Sequence, residues 1–308
     1  MLICRDDVFD PAKSLPRLSA FQIVVTRYNL VRASFGGGGA IEPANRQDWL
    51  KRRLEIFQSV CLPSMLSQVK RPDLWLLEFD GSSRDAVQPV LDVVRDHEWI
   101  VPAWQNIGAD GKPERRPDYL GREILPRLQP SHTHVIMTRL DSDDALNVMF
   151  LEALTSYAAA VASRHRDLED FWVLFPVGAK YWSHECRLLV YSNNPFLSSV
   201  HTIGSFLSKP KYFGDHAKVF RRGRVFLPVT REPMWMQIAH GSNVRNRPSH
   251  GLPKFASADA ELARCGIPTR PELEGRSRPA WRTRLWRKIP RPARKLLRAV
   301  KLRKLRRG

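Results

Sequence analysis

The sequence predicts an α/β protein on a mostly parallel sheet, with an irregular second half and a basic helical tail. Three observations carry that expectation. Short apolar runs alternate with helical patterns over the first 165 residues, the signature of βαβ units. After residue 170 the texture changes to short β-like runs separated by Asn, Pro, Gly and His. The formal charge of +19 is concentrated at one end: Arg276 to Arg307 hold 15 Lys and Arg and no acid, leaving +4 on residues 1–275.

The elements follow in order. Residues 21–27, with Ile and Val grouped as in a parallel sheet, form the first strand. A loop with Gly36 to Gly39 leads to an amphipathic helix from Asn45 that stops near Pro63. Leu74 to Phe79 is the second strand and ends at Asp80-Gly81-Ser82-Ser83. Arg84 to His97 is helical, Trp99 to Trp104 is a third strand and Tyr119 to Leu128 is helix again. His134 to Leu140 is the fourth strand and runs into Asp141-Ser142-Asp143-Asp144; Ala145 to His165 is the longest helical pattern. Beyond it, Phe171–Phe175, Arg187–Tyr191 and Val225–Leu227 read as short strands. The resulting division is an N-terminal segment 1–19, a ligand-binding α/β half 20–166, a second half of the same domain 167–266, and a tail 267–308.

Composition excludes several classes. Hydrophobic residues at 43% and charged residues at 26% belong to a folded chain with a core, not a disordered one. Cys4, Cys61, Cys186 and Cys265 lie far apart without a CxxC pair, which argues against a disulfide scaffold or Cys-rich zinc site and suits a reducing compartment. Acids at Asp6 and Asp7 precede any apolar run, so no secretory signal is expected. No apolar stretch reaches the roughly 18 residues of a membrane span. The expected location is the cytoplasm.

Asp141, Asp143 and Asp144 directly follow a buried strand, and open α/β sheets bind ligands at the carboxyl ends of their strands. Carboxylates at i and i+2 can turn their oxygens toward one point, as a hard divalent cation requires. Such a cation would neutralise a diphosphate and assist its departure. Asp-Ser-Asp-Asp before a helix is also ordinary N-capping, above all for Asp144. An EF-hand loop fails because its fifth position is Ala145 and its glycine position is Leu146. A phosphatase-type aspartyl nucleophile stays open. Arg27 and Arg139, both at strand ends, could pair with phosphate or, structurally, with one of the aspartates. Tyr28 and Trp75 could stack on a base or belong to the core.

Thr26-Arg27-Tyr28-Asn29, Phe79-Asp80-Gly81-Ser82-Ser83 and Leu140-Asp141-Ser142-Asp143-Asp144 resemble, in order and spacing, the three nucleotide-sugar signatures of GT-A glycosyltransferases. The third is similar to their DxD motif. A finer resemblance, over roughly residues 20–250, is to a bacterial rhamnosyltransferase family. It is carried by Val60-Cys61-Leu62-Pro63-Ser64, by Thr138 to Leu146, and by the Pro-Met-Trp-x-Gln-x-x-His-Gly-x-Asn segment Pro233 to Asn243. The resemblance implies a nucleotide-diphosphate sugar donor, contacted by Thr26, Arg27, Asn29, Asp80, Arg139 and Asp141. It implies Mn²⁺ or Mg²⁺ held by Asp141 and Asp143, with His240 as a late third ligand, and it implies a glycan or lipid-linked acceptor. Phe79 stands where the second signature has its first acid, and Thr26-Arg27 replaces the Pro-containing turn.

An inverting transferase needs a base for the acceptor hydroxyl. Asp215, in a loop with basic neighbours, is the first candidate, Glu232 the second, and Glu185 a third. In the tail, Trp281, Leu285, Trp286, Ile289 and the later leucines interleave with Arg and Lys, the composition of an interfacial membrane helix. Nucleic acid attracts the same charges, but the aliphatic content and a lipid-linked acceptor favour the inner face of an anionic membrane. The expected function is a peripheral, metal-dependent glycosyltransferase. The rival is a non-catalytic basic membrane- or nucleic-acid-binding protein on a degenerate transferase fold.

Overall fold

The computed structural model describes residues 18–30, 43–208, 216–240 and 252–271. The Gly36–Gly39 loop, Asp215, Asn243 and the tail from residue 272 lie outside them. Strand β1 (Ala20–Arg27) is followed by helix α1 (Pro43–Ile56), a π-turn at Phe57–Cys61 and helix α2 (Leu62–Leu66). The helical path was expected to stop near Pro63 but continues to Leu66. The π-turn makes the difference, because Leu62 N–H reaches the Phe57 carbonyl and Pro63 falls at the start of the new helix, where no N–H is needed.

Strand β2 (Leu74–Asp80), helix α3 (Gln88–Val94), strand β3 (Ile100–Gln105), helix α4 (Arg116–Ile124) and strand β4 (His134–Asp141) complete the expected βα alternation. The two-residue strand β5 (Ala145–Leu146) then precedes helix α5 (Phe150–Arg164). That helix starts five residues later than the pattern suggested. Asn147 donates its backbone N–H to Met234 O and accepts Met149 N–H on its side chain, so residues 145–149 serve the sheet and the cap. Strands β6 (Asp170–Val173), β7 (Val177–Trp182), β8 (Glu185–Val190) and β9 (Ser198–Thr202) follow, then helix α6 (Ile203–Ser208). Strands β10 (Val225–Phe226) and β11 (Trp235–Ile238) and helix α7 (Ala258–Arg264) end the series. β7, β9 and β11 were not expected from the sequence.

Two sheets result. The larger has the order β10-β6-β9-β4-β1-β2-β3. β3, β2, β1 and β4 are parallel, and β9 runs antiparallel to both β4 and β6. Alternate β1 residues enter opposite cores: Val24 meets Phe57, Trp75 and Phe150, whereas Ile23 and Val25 meet Tyr119, Ile124 and Phe206. Burial on both faces is why β1 reads as a continuous apolar run. The smaller sheet, β5-β11-β7-β8, buries Ala179, Tyr181, Met236 and Ile238 with Leu262, Cys265 and Ile267. These strands come from both predicted halves. The β7–β8 turn places Ser183 and His184 at φ 51° and 62°, the two positive φ values of a type I′ turn. Among the described residues no helix is long and apolar enough to cross a membrane.

Candidate active site

The sheet places β1 between β2 and β4, so the direction in which the chain adds strands reverses at β1/β4. That switch point opens a crevice at the carboxyl ends. Arg27 and Asp141, the last residues of the two strands, are register partners there. Arg139 Nη2 lies 2.8 Å from Asp141 Oδ2 and 3.1 Å from Oδ1, and Arg27 Nη2 lies 3.3 Å from Oδ1. Burial pushes the Asp141 carboxyl up, but the two guanidiniums outweigh it and hold the carboxyl well below the usual range. The aspartate alternative weighed for the two arginines is thus the pairing this structure contains.

The β5–β11 pairing builds the second part of the site. Ala145 pairs with Met236 and Leu146 with Trp235, and Asp144 Oδ1 accepts the Ile238 N–H at 3.0 Å. These bonds bring His240 Nε2 to 3.0 Å from Asp143 Oδ2 across 97 positions of chain. Asp144 therefore ties two segments together instead of capping a helix. Its carboxyl is pushed far up by burial and then by the charges of Asp143 and Asp141. Among the described residues, no group of three His, Cys, Asp or Glu is arranged to hold a metal. Of Asp141, Asp143 and His240, the Asp141 oxygens face the two arginines, whereas Asp143 and His240 meet each other.

Other expected contacts are taken up by structure. Thr26 is fully buried and accepts the Trp75 indole N–H at 2.9 Å, so its hydroxyl belongs to the core and cannot serve a donor. Tyr28 and Trp75 are core as well, Tyr28 against Phe57 and Phe79 and Trp75 against Phe57 and Trp99. Asn29, 5% exposed, donates to Ser83 Oγ at 2.7 Å and accepts the Asp80 N–H at 3.0 Å. It braces the β1 end against the turn after β2. Asp80 caps that turn through Ser82 N–H and Oγ. Of the base candidates, Glu232 is exposed and paired with Arg264 at 2.8 Å, and Glu185 is paired with Arg187 and Lys254. Asp215 lies outside the described residues.

Sequence reasoning missed a buried unit beside this crevice. Glu78, with no exposed surface, receives Arg116 through two N–H groups and the Tyr119 hydroxyl at 2.7 Å. It is a lone acid inside the apolar run Leu74 to Phe79, and that misfit was the signal available. Arg53 of α1 sits over the rings of Trp49 and Tyr28 and turns an N–H toward the Arg27 carbonyl. Buried atoms without a hydrogen-bond partner collect here: Tyr28 OH, Arg53 Nε, Arg139 Nε and Ser142 Oγ.

The chain is a mixed α/β protein with a large central sheet and a polar cluster at its switch point. More particularly, the chain belongs to the family described as "Putative rhamnosyl transferase", whose profile matches residues 41–251, and it is a transferase of that family. No curated protein matches. Two solved structures are similar at a low level. One is the 4-diphosphocytidyl-2C-methyl-D-erythritol synthase from Anaerococcus prevotii, 13% identical, covering 82% of this chain and 97% of that one, with a TM-score of 0.28. The other is the inositol-1-phosphate CTP transferase from T. maritima, 10% identical, covering 72% and 90%, with a TM-score of 0.31. At such scores neither likeness carries weight for fold or activity.

Proposed function

We propose that this chain is a GT-A type, metal-dependent glycosyltransferase that moves a rhamnose-like sugar from a nucleotide-diphosphate donor to a bacterial surface glycan or glycolipid. The observation that carries the reading is the Asp143–His240 contact beside the Arg27–Asp141–Arg139 cluster at the switch point. Asp143 and His240, whose Oδ2 and Nε2 lie 3.0 Å apart, would hold the ion. The pair suits Mn²⁺ or Mg²⁺, which commonly take one or two protein ligands and complete their shell with phosphate and water. When bound, the ion supplies positive charge for the departing nucleoside diphosphate.

The chain's own groups do the rest. Arg27 and Arg139 receive the donor phosphates, and Asp141 keeps both guanidiniums oriented before donor arrives. Asp80, fixed in its turn by Asn29 and Ser82, borders the base and ribose. Asp215 is the proposed base for the acceptor hydroxyl. Glu232 is the runner-up only if it leaves Arg264. The test is hydrolysis of a panel of nucleotide sugars with Mn²⁺ and no acceptor. One donor should be hydrolysed, and removal of the metal by chelation should stop it; no metal-dependent hydrolysis of any donor would overturn the reading.

The tail is assigned to the inner face of the membrane, where the 15 basic residues from Arg276 to Arg307 meet anionic lipid at about 1 kcal/mol each and its Trp and Leu side chains insert. Full-length protein should sediment with anionic vesicles and be released as salt screens the charges. Indifference to such vesicles, with tight binding to duplex DNA or RNA at the same salt, would refute that assignment.

A further inference from the structure

The transferase reading leaves one face of the small sheet without a role. Side chains alternate along β7 and β11. Ala179, Tyr181, Met236 and Ile238 point into the apolar cluster shared with α7, so Gly178, Lys180, Trp235 and Gln237 belong to the opposite face. At its inner end, Trp235 lies so close over Gly178 that an added Cβ would meet the indole at 2.2 Å. The ring stacks on Phe196 at 4.7 Å and donates to the Phe175 carbonyl at 2.7 Å. This end is core.

One step outward the chemistry changes. Lys180 and Gln237 are register partners, side by side across β7 and β11. Lys180 is 8% and Gln237 9% exposed, yet neither side chain has a hydrogen-bond or ion-pair partner among the described residues. Their polar tips are not among the sealed unsatisfied atoms, so both reach the surface. Burial lowers the Lys180 ammonium's pKa, and Asp144 opposes this from beyond ion-pair distance. Partly exposed Trp182 follows on the same face. An ammonium and an amide this enclosed, with tips that reach the surface and no partner among the described residues, are open to a polar group from outside.

Their place says which side of the reaction they serve. Asp143 follows β4 of the large sheet and His240 follows β11 of the small one, so their contact joins the two sheets. Arg27 and Arg139 belong to the large sheet, and Lys180 and Gln237 to the small one.

We propose that the polar face of the small sheet is the acceptor subsite, and that the acceptor sugar carries an anionic group, a carboxylate or a phosphate, received by Lys180. Gln237 binds a neighbouring hydroxyl. The assignment of this site to an acceptor rests on the transferase reading.

The test uses full-length protein with D-glucose, D-glucuronate and D-glucose 6-phosphate at millimolar concentrations, followed by saturation-transfer NMR. UDP and dTDP with Mn²⁺ are titrated in parallel. At least one of the two acids should bind about tenfold more tightly than glucose, the scale of one charge-assisted hydrogen bond. Comparing the two acids tells carboxylate from phosphate. Lys180→Met should erase that preference while leaving nucleotide binding unchanged, and Lys180→Arg, which keeps the charge, should retain much of it. Gln237→Leu should weaken all three sugars. Wild-type protein that binds neither acid better than glucose would overturn the proposal, as would a preference that survives Lys180→Met. Loss of nucleotide binding in Lys180→Met would move the residue to the donor side and equally overturn it. Failure of wild-type protein to bind any nucleotide with Mn²⁺ would count against the transferase reading instead, and an acid preference lost in Lys180→Met would still stand.

Discussion

Asp143→Asn is expected to weaken Mn²⁺-dependent nucleotide binding by at least about 100-fold, beyond the 10–100-fold typical of groups one step removed from a metal. Asparagine keeps the size of the side chain but removes the charge that a hard cation needs. The same change should leave the fold intact and slightly raise thermal stability without metal. The Asp143 charge is one of the causes that push the buried Asp144 carboxyl up, so its removal relieves repulsion on that carboxyl. A stability gain coupled to lost function is the mark of a site kept strained for its task. His240→Gln should cost about tenfold, since one neutral ligand goes and the carboxylate stays. Calorimetry decides the matter. Unchanged Mn²⁺–nucleotide affinity in Asp143→Asn would sink the metal assignment.

The largest effect on stability is expected from Arg116→Met. Arg116 is the cation that meets Glu78, whose side chain is completely buried, while that of Arg116 is 18% exposed. Removing it leaves a carboxylate in the core with the Tyr119 hydroxyl as its remaining donor from this unit. Breaking a buried pair this way costs about 3–5 kcal/mol. The pair itself need not be a net gain. Glu78→Met with Arg116→Met should therefore recover most of the loss, because an apolar pair of similar volume avoids the desolvation of both charges. Urea denaturation of the single and double variants measures this directly. A loss under about 1 kcal/mol in Arg116→Met, the scale of a surface ion pair, would show that the unit does not hold the β2 end in place. Glu78→Gln offers a milder probe should Arg116→Met not fold.

The parallel core of the protein was legible in its residues. β1, β2, β3 and β4 are dense in Val, Ile, Leu and Trp, and β2 and β4 end at Asp80-Gly81 and Asp141-Ser142, so the strands and two of their termini are local signals. The position of Asp141-Ser142-Asp143-Asp144 at the end of β4 was equally visible, as was the concentration of positive charge beyond residue 275. Tertiary structure alone decided the rest. β5 is two residues long and reads as the start of a helix, yet its pairing with β11 is what carries His240 to Asp143. β9, Ser-Ser-Val-His-Thr, has little apolar signal of its own and becomes a central strand only because β4 and β6 flank it. Thr26 looked like a ligand contact until Trp75 claimed its hydroxyl. Asp141 was legible as an acid at a strand end, but its two arginine partners were set by the register of β1 against β4. The division has one physical cause. Hydrophobic period and turn chemistry act over a few neighbouring residues, whereas a partner for a buried charge is chosen by packing between segments that lie, for Asp143 and His240, 97 positions apart.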